Sequence, residues 1–87
     1  MKLIVFAFKD YETEGGWYDI LEDEDGVKIF ESEKEVIKYM ESQPEIERQD
    51  NLQIIDIDKL KTISEYNYIW DGRDHEEGHY KRMINAT

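Results

Sequence analysis

Leu3, Ile4, Val5, Phe6, Ala7 and Phe8 are apolar at every position, so an extended chain here buries both of its faces. The run predicts a strand inside a sheet, not at its edge. Asp10 to Gly16 reads as a loop, with the Gly15-Gly16 pair permitting positive φ or a close backbone approach. Trp17 to Leu21 and Val27 to Phe30 flank Asp23-Glu24-Asp25-Gly26, whose Asp-Gly step is a strong hairpin signal. Ser32-Glu33-Lys34-Glu35 fits a capping box, in which the Ser32 hydroxyl takes a backbone N–H and Glu35 reaches back to the cap. The helix it opens carries an apolar stripe of Val36, Ile37 and Met40, and it ends near Ser42 because Pro44 pushes Gln43 out of helical geometry. After a short turn over Glu45 to Asp50, Leu52 to Ile57 reads as a second buried strand and Lys61 to Tyr68 as its antiparallel partner. Trp70-Asp71-Gly72 looks like a turn, and Asp74 to Ile84 reads as a poor helix interrupted by Gly78.

The order β-β-β-α-β-β, with that terminal helix, predicts an α+β fold: a small antiparallel or mixed sheet of about four to five strands packed on one main helix. With 87 residues the chain is one domain, 1–87, and its segment 70–87 carries the weakest pattern. One short helix covers one face of a sheet, so the other is left to solvent or to a second copy, which makes a homodimer an expectation. Alternation along Trp17-Tyr18 expects one of the two in the core and the other on the surface.

Composition changes this picture in two ways. Eleven aromatic residues and an apolar share of 39% argue for a folded chain despite the charge. The absence of Cys removes disulfides and thiolate zinc sites, so stability comes from packing. The longest apolar run is far too short to span a membrane, and the chain reads as soluble and intracellular.

Charge matters more. The chain holds 22 Asp and Glu against 11 Lys and Arg, a net charge of -11. Residues 10 to 35 alone hold eleven acids and two bases, Lys28 and Lys34, whereas 51 to 87 are nearly balanced. A surface so negative repels phosphates, so neither nucleic acid nor membrane is expected as a direct ligand.

Candidate chemistry is thin. His75-Glu76-Glu77-Gly78-His79 matches the zinc-protease pattern by letter, but the surrounding residues are polar and Gly78 weakens the helix the pattern needs. An EF-hand register with Gly26 at the sixth loop position puts Leu21 and Ser32 where oxygen ligands and a bidentate Glu belong, and fails. Gly15-Gly16 lacks the lysine of a phosphate loop, no Cys nucleophile exists, and carboxylates are too many to nominate a pair. No catalytic residue, cofactor or metal is assigned, and the chain is not expected to be an enzyme. The mixture of acid and aromatic points instead to protein binding, where rings supply contact area and carboxylates steer toward a basic partner. The candidate partner-binding residues are Asp10, Tyr11, Glu12, Trp17, Tyr18, Asp19, Glu22, Asp23, Glu24 and Asp25.

Taken in order, Phe6-Ala7-Phe8, Tyr11, Gly15-Gly16-Trp17, Asp19, Phe30, Ser32 with Glu35, and Gln53-Ile54-Ile55-Asp56 resemble a group of short bacteriophage and prophage proteins. That group shares an aromatic-rich first strand, a Gly-Gly-aromatic loop followed by Asp, a capped helix and a Gln-Ile-x-Asp strand. The chain departs from it at Glu14, where a small residue or Pro is usual, and in the acidic stretch Asp23 to Gly26. The resemblance implies a phage origin and action in the host cytoplasm, where small phage proteins often inhibit host or defence proteins. The expected function is therefore a non-catalytic phage accessory protein that binds a basic surface of a host or defence protein, its carboxylates standing in for the phosphates of a nucleic acid. Two alternatives stand beside it: a protein that sequesters a nucleotide or signalling molecule at Gly15-Gly16, Trp17 and Tyr18, and a metal-dependent hydrolase acting through His75 and His79.

Overall fold

The computed structural model describes residues 1–11, 15–44, 49–70 and 78–83. Five antiparallel strands form the main sheet, in the order β2-β1-β5-β6-β7, and one helix packs on it. These strands are β1 (Leu3–Tyr11), β2 (Gly15–Ile20), β5 (Asn51–Asp56), β6 (Lys61–Trp70) and β7 (Gly78–Arg82). A two-stranded ribbon, β3 (Glu22–Asp23) with β4 (Gly26–Val27), precedes the helix α1 (Glu33–Ser42). The chain is thus a small α+β fold of one helix on a sheet. Among the described residues no helix is long and apolar enough to cross a membrane.

The apolar run of β1 lies between two strands, as its pattern requires. Leu3, Val5 and Ala7 are buried toward the helix with Leu52 and Ile54 of β5, opposite Val36, Met40 and Phe30. Ile4, Phe6 and Phe8 alternate to the face the helix does not cover and are only partly exposed there. The helix begins as its cap predicts: Ser32 is extended at φ -153, and its Oγ accepts the Glu35 N–H at 3.2 Å. Glu35 returns one residue farther than a capping box, its Oε2 accepting the Glu31 N–H at 2.9 Å. Gln43, held extended before Pro44, closes the C-terminus by donating its N–H to the Met40 carbonyl.

Three expectations need correction. Trp17 to Leu21 and Val27 to Phe30 do not form the arms of one hairpin. Gly15–Ile20 pairs with β1 instead, and the hairpin is the two-residue ribbon Glu22–Asp23 with Gly26–Val27, turning at Glu24-Asp25. Second, Asp10, Tyr11, Gly15 and Gly16 belong to strands and not to a loop, and residues 12–14 lie outside the described ones. Third, no helix covers 78–82. That segment is strand β7, paired to β6 from Tyr66↔Arg82 to Trp70↔Gly78, and the strand count rises accordingly. The readings placed on Asp71-Gly72, on residues 74–77, on 84 and on 45–48 lie outside the described residues.

Candidate partner-binding edge

β2 forms one border of the sheet, and its register with β1 sets where its side chains go. Trp17 stands opposite Lys9, Tyr18 opposite Phe8 and Asp19 opposite Ala7. Because strand side chains alternate, Trp17 and Asp19 share the helix-side face while Tyr18 takes the other. Trp17 Nε1–H donates to Asp19 Oδ2 at 2.7 Å. Tyr18 packs its ring on Phe8, centroids 5.0 Å apart, and its hydroxyl donates to Asn51 Oδ1 at 2.8 Å. Neither aromatic enters the core: Trp17 is 49% exposed and Tyr18 46%. The expectation of one inside and one outside fails because β2 is an outer strand and α1 lies over the opposite half of the sheet, where it contacts β7.

The glycine pair divides the two roles foreseen for it. Gly15 takes φ +72, and a Cβ on Gly16 would lie 2.5 Å from both the Lys9 carbonyl oxygen and the Phe8 ring. Both therefore serve the entry into β2.

Beyond Ile20 the same border continues into the acidic ribbon. Leu21 donates its N–H to the Val5 carbonyl, Lys28 donates to the Leu21 carbonyl, and Phe30 bridges Leu3, so the ribbon leaves the sheet edge and rejoins it. Glu22, Asp23, Glu24 and Asp25 are all exposed. Asp23 Oδ1 accepts the Asp25 N–H at 2.9 Å and pins the turn. Glu22, Glu24 and Asp25 meet no basic side chain among the described residues. Lys28, the base nearest in sequence, points its Nζ over the rings of Phe30 and Tyr39, at 5.3 and 4.8 Å from their centroids.

The acids at the start of the helix do local work instead. Glu33 meets Arg82 Nε at 3.4 Å and accepts the Tyr66 hydroxyl at 3.4 Å; Glu35 takes the Glu31 N–H. Burial pushes the Tyr66 phenol above its ordinary value, and the Glu33 charge adds to this while Arg82 opposes it.

The candidate residues therefore share an edge and not a face. Asp19, Glu22, Asp23, Glu24 and Asp25 follow one another along it, Trp17 and Tyr18 flank it on opposite sides, and Asp10 and Tyr11 are placed by their backbone at the end of β1. The side chains of Asp10 and Tyr11, and all of Glu12, lie outside the described residues.

A shallow hollow of about 110 Å³ lies on the helix side of this edge, lined by Ala7, Lys9, Trp17, Asp19, Leu21 and Gln49 among others. Sites for nucleotide-sized ligands enclose roughly 300–1,000 Å³. This hollow matches one side chain, and the glycine pair does not line it.

Sequence reasoning missed a polar stripe on the uncovered face. Asn51 Nδ2 donates to Glu65 Oε1 at 2.8 Å and to Asn67 Oδ1 at 2.5 Å, while its Oδ1 accepts from Tyr18 and, at 3.2 Å, from Gln53. Its amide thereby reaches its full complement of two donors and two lone pairs. The signal was present as polar residues at every second position, Asn51, Gln53, Glu65 and Asn67, but their partners depend on the β5–β6 register.

His79 is exposed in β7 opposite Ile69. His75, Glu76 and Glu77 lie outside the described residues, and with them the zinc-protease reading of His75 to His79. Among the described residues no group of three or more His, Asp or Glu is placed to hold a metal ion. No family model, curated protein or solved structure matches this chain.

Proposed function

We propose that this protein is a non-catalytic binding module of phage origin, which occupies a basic surface of a host or defence protein with its β2 edge and acidic ribbon. The observation that carries the reading is the run Glu22 to Asp25: four exposed acids in succession, none of them paired with a basic side chain among the described residues. Carboxylates left in water in this way keep their field, steer association with a cationic surface and stand in for the phosphates such a surface normally holds. Trp17 and Tyr18, each about half exposed beside them, supply the apolar contact that charge alone lacks.

The test is capture of the partner from the presumed host by the intact chain, followed by titration at rising salt. Affinity falls at least about tenfold between 0.05 and 0.5 M salt, because screening shortens the electrostatic reach. The combined variant Glu22→Gln, Glu24→Gln, Asp25→Asn keeps Asp23 to pin the turn and loses most of that salt-dependent part. Retention that ignores both salt and these substitutions overturns the reading.

A second reading, capture of a small ligand, draws on the hollow that joins Lys9 to Trp17. Its size supports a fragment and not a nucleotide. Thermal shifts with free nucleotides are accordingly expected to be absent.

A further inference from the structure

The backbone of β2 extends the proposal from charge to a mode of binding. Leu21 N–H donates to the Val5 carbonyl at 2.9 Å, and the register that sets Phe6 opposite Ile20 sets Val5 opposite Leu21. In an antiparallel ladder hydrogen-bonded pairs alternate with non-bonded ones. The bonded pairs are then Ala7 with Asp19 and Lys9 with Trp17, and Gly16, Tyr18 and Ile20 turn their N–H and C=O away from β1. Among the described residues nothing bonds to those outward groups.

Sheet borders are normally guarded by lysine, proline, a bulge or extreme shortness. β2 is six residues long, contains no Pro or Lys and pairs with β1 without a register shift. Its one charged residue is Asp19, whose Oδ2 is engaged by Trp17 and whose Oδ1 has no partner among the described residues, and the ribbon after it adds Glu22, Glu24 and Asp25. Such a border rejects acidic strands and attracts basic ones.

We propose that β2 takes a sixth strand: an extended, lysine- or arginine-bearing segment of the partner pairs antiparallel with Gly16, Tyr18 and Ile20, and sets a cationic side chain against Asp19. The proposal rests on the binding reading above and adds how the partner is held. Main-chain bonds give affinity in this mode, and alternate side chains give selectivity. The partner residue facing Asp19 falls at a non-bonded position, where side chains approach most closely and opposite charges favour each other. Its side chain then reaches the hollow beside Trp17 and Asp19. A second copy of the chain, offering β7 with His79, Lys81 and Arg82, is the competing occupant. The net charge of -11 on each copy opposes it, and Arg82 is already engaged by Glu33.

The geometry makes a sharp demand of a probe. In a decapeptide of alternating lysine and valine docked with lysine toward Asp19, the valine N–H groups face β2 and the lysine N–H groups face solvent. The full-length protein is titrated at low salt with this peptide, with one N-methylated at every valine, and with one N-methylated at every lysine. Amide hydrogen exchange is read by NMR. Methylation at lysine leaves affinity within about threefold, methylation at valine lowers it at least about tenfold, and the parent peptide slows exchange at Gly16, Tyr18 and Ile20. Ile20→Pro removes one outward donor, as sheet borders tolerate, and weakens the parent peptide while near-UV circular dichroism is unchanged.

If the two methylated peptides bind equally, or the three amides stay unprotected, strand addition is overturned. Should binding still fall with salt in that case, the electrostatic reading survives alone. Absence of any peptide binding at low salt removes both. Protection of the same amides in peptide-free protein, growing with its concentration, makes the occupant a second copy and overturns the foreign segment.

Discussion

The two borders of the sheet are built on opposite terms. β7 is anchored: Tyr80 is buried, packs against Tyr68 with centroids 5.1 Å apart and receives the Gln49 N–H on its hydroxyl, while Arg82 holds Glu33 of the helix. Its exposed side chains include His79, Lys81 and Arg82. β2 shows the reverse, with no side chain in the core, two half-exposed aromatics and an acidic ribbon at its end. The contrast teaches that the chain ties the side chains of one border to its own core and helix and, among the described residues, leaves those of the other outside the core. The apolar and charged halves of the proposed docking surface are then both supplied by β2 and the ribbon at its end.

The largest effect that tests this contrast is truncation of an aromatic on each border. Tyr80→Ala is expected to cost about 3 kcal/mol in urea unfolding, since a buried ring is lost and a cavity remains. Tyr18→Ala, half exposed already, costs about 1 kcal/mol. Equal losses would mean that β2 is as firmly built in as β7.

Next come the glycines. Gly16→Ala puts a Cβ 2.5 Å from the Lys9 carbonyl oxygen, and backbone cannot step aside cheaply, so a loss of about 2 kcal/mol is expected. Gly78→Ala meets the hydroxyl end of the Tyr68 ring, which can swing away, and about 1 kcal/mol is expected. A larger loss at Gly78 than at Gly16 would show that the Tyr68 ring is locked in place over β7.

A smaller effect appears only in alkali. The folded-state pKa of Tyr66 lies above 10.0, so above pH 10 the folded chain keeps a proton that the unfolded chain releases. Stability contributed by the protonated phenol is complete below pH 10 and declines as pH rises through the folded value. Tyr66→Phe flattens that decline, read as the unfolding midpoint between pH 9 and 11. The smallest effect is Arg82→Ala: its pair with Glu33 is half exposed, and surface pairs contribute about 0–1 kcal/mol, so a few tenths are expected in low salt and less at 0.5 M.

What could be read from the sequence was what local pattern decides. β1, β5 and β6 carry dense apolar or β-branched positions, and the helix carries its own cap and stop at Ser32 and Pro44. The acidic turn was placed correctly by Asp25-Gly26, but the partner of Trp17 to Ile20 was not, because pairing with Phe6 to Tyr11 is a choice made by the sheet. β7 escaped for a similar reason. Only Tyr80 in Gly78–Arg82 is buried, so no alternation marks it, and β6 imposes the extended form. The acidic candidates were legible as charge; that they line a border, with Trp17 and Tyr18 on opposite sides, comes only from register.

The strand order also bears on how the chain reaches this state. β1 with β2, β5 with β6 and β6 with β7 each join neighbours along the main sheet's path, whereas β1 with β5 brings Leu3–Phe8 to Asn51–Asp56 across the ribbon and the helix. Closing that long loop is the entropic barrier, so the rate of refolding is set at Val5, Ile54 and their neighbours in the central ladder. Substitutions in either outer strand then act mainly on how fast the native state comes apart. An outer strand of this kind can change its contacts over evolution while the pathway to the fold stays the same.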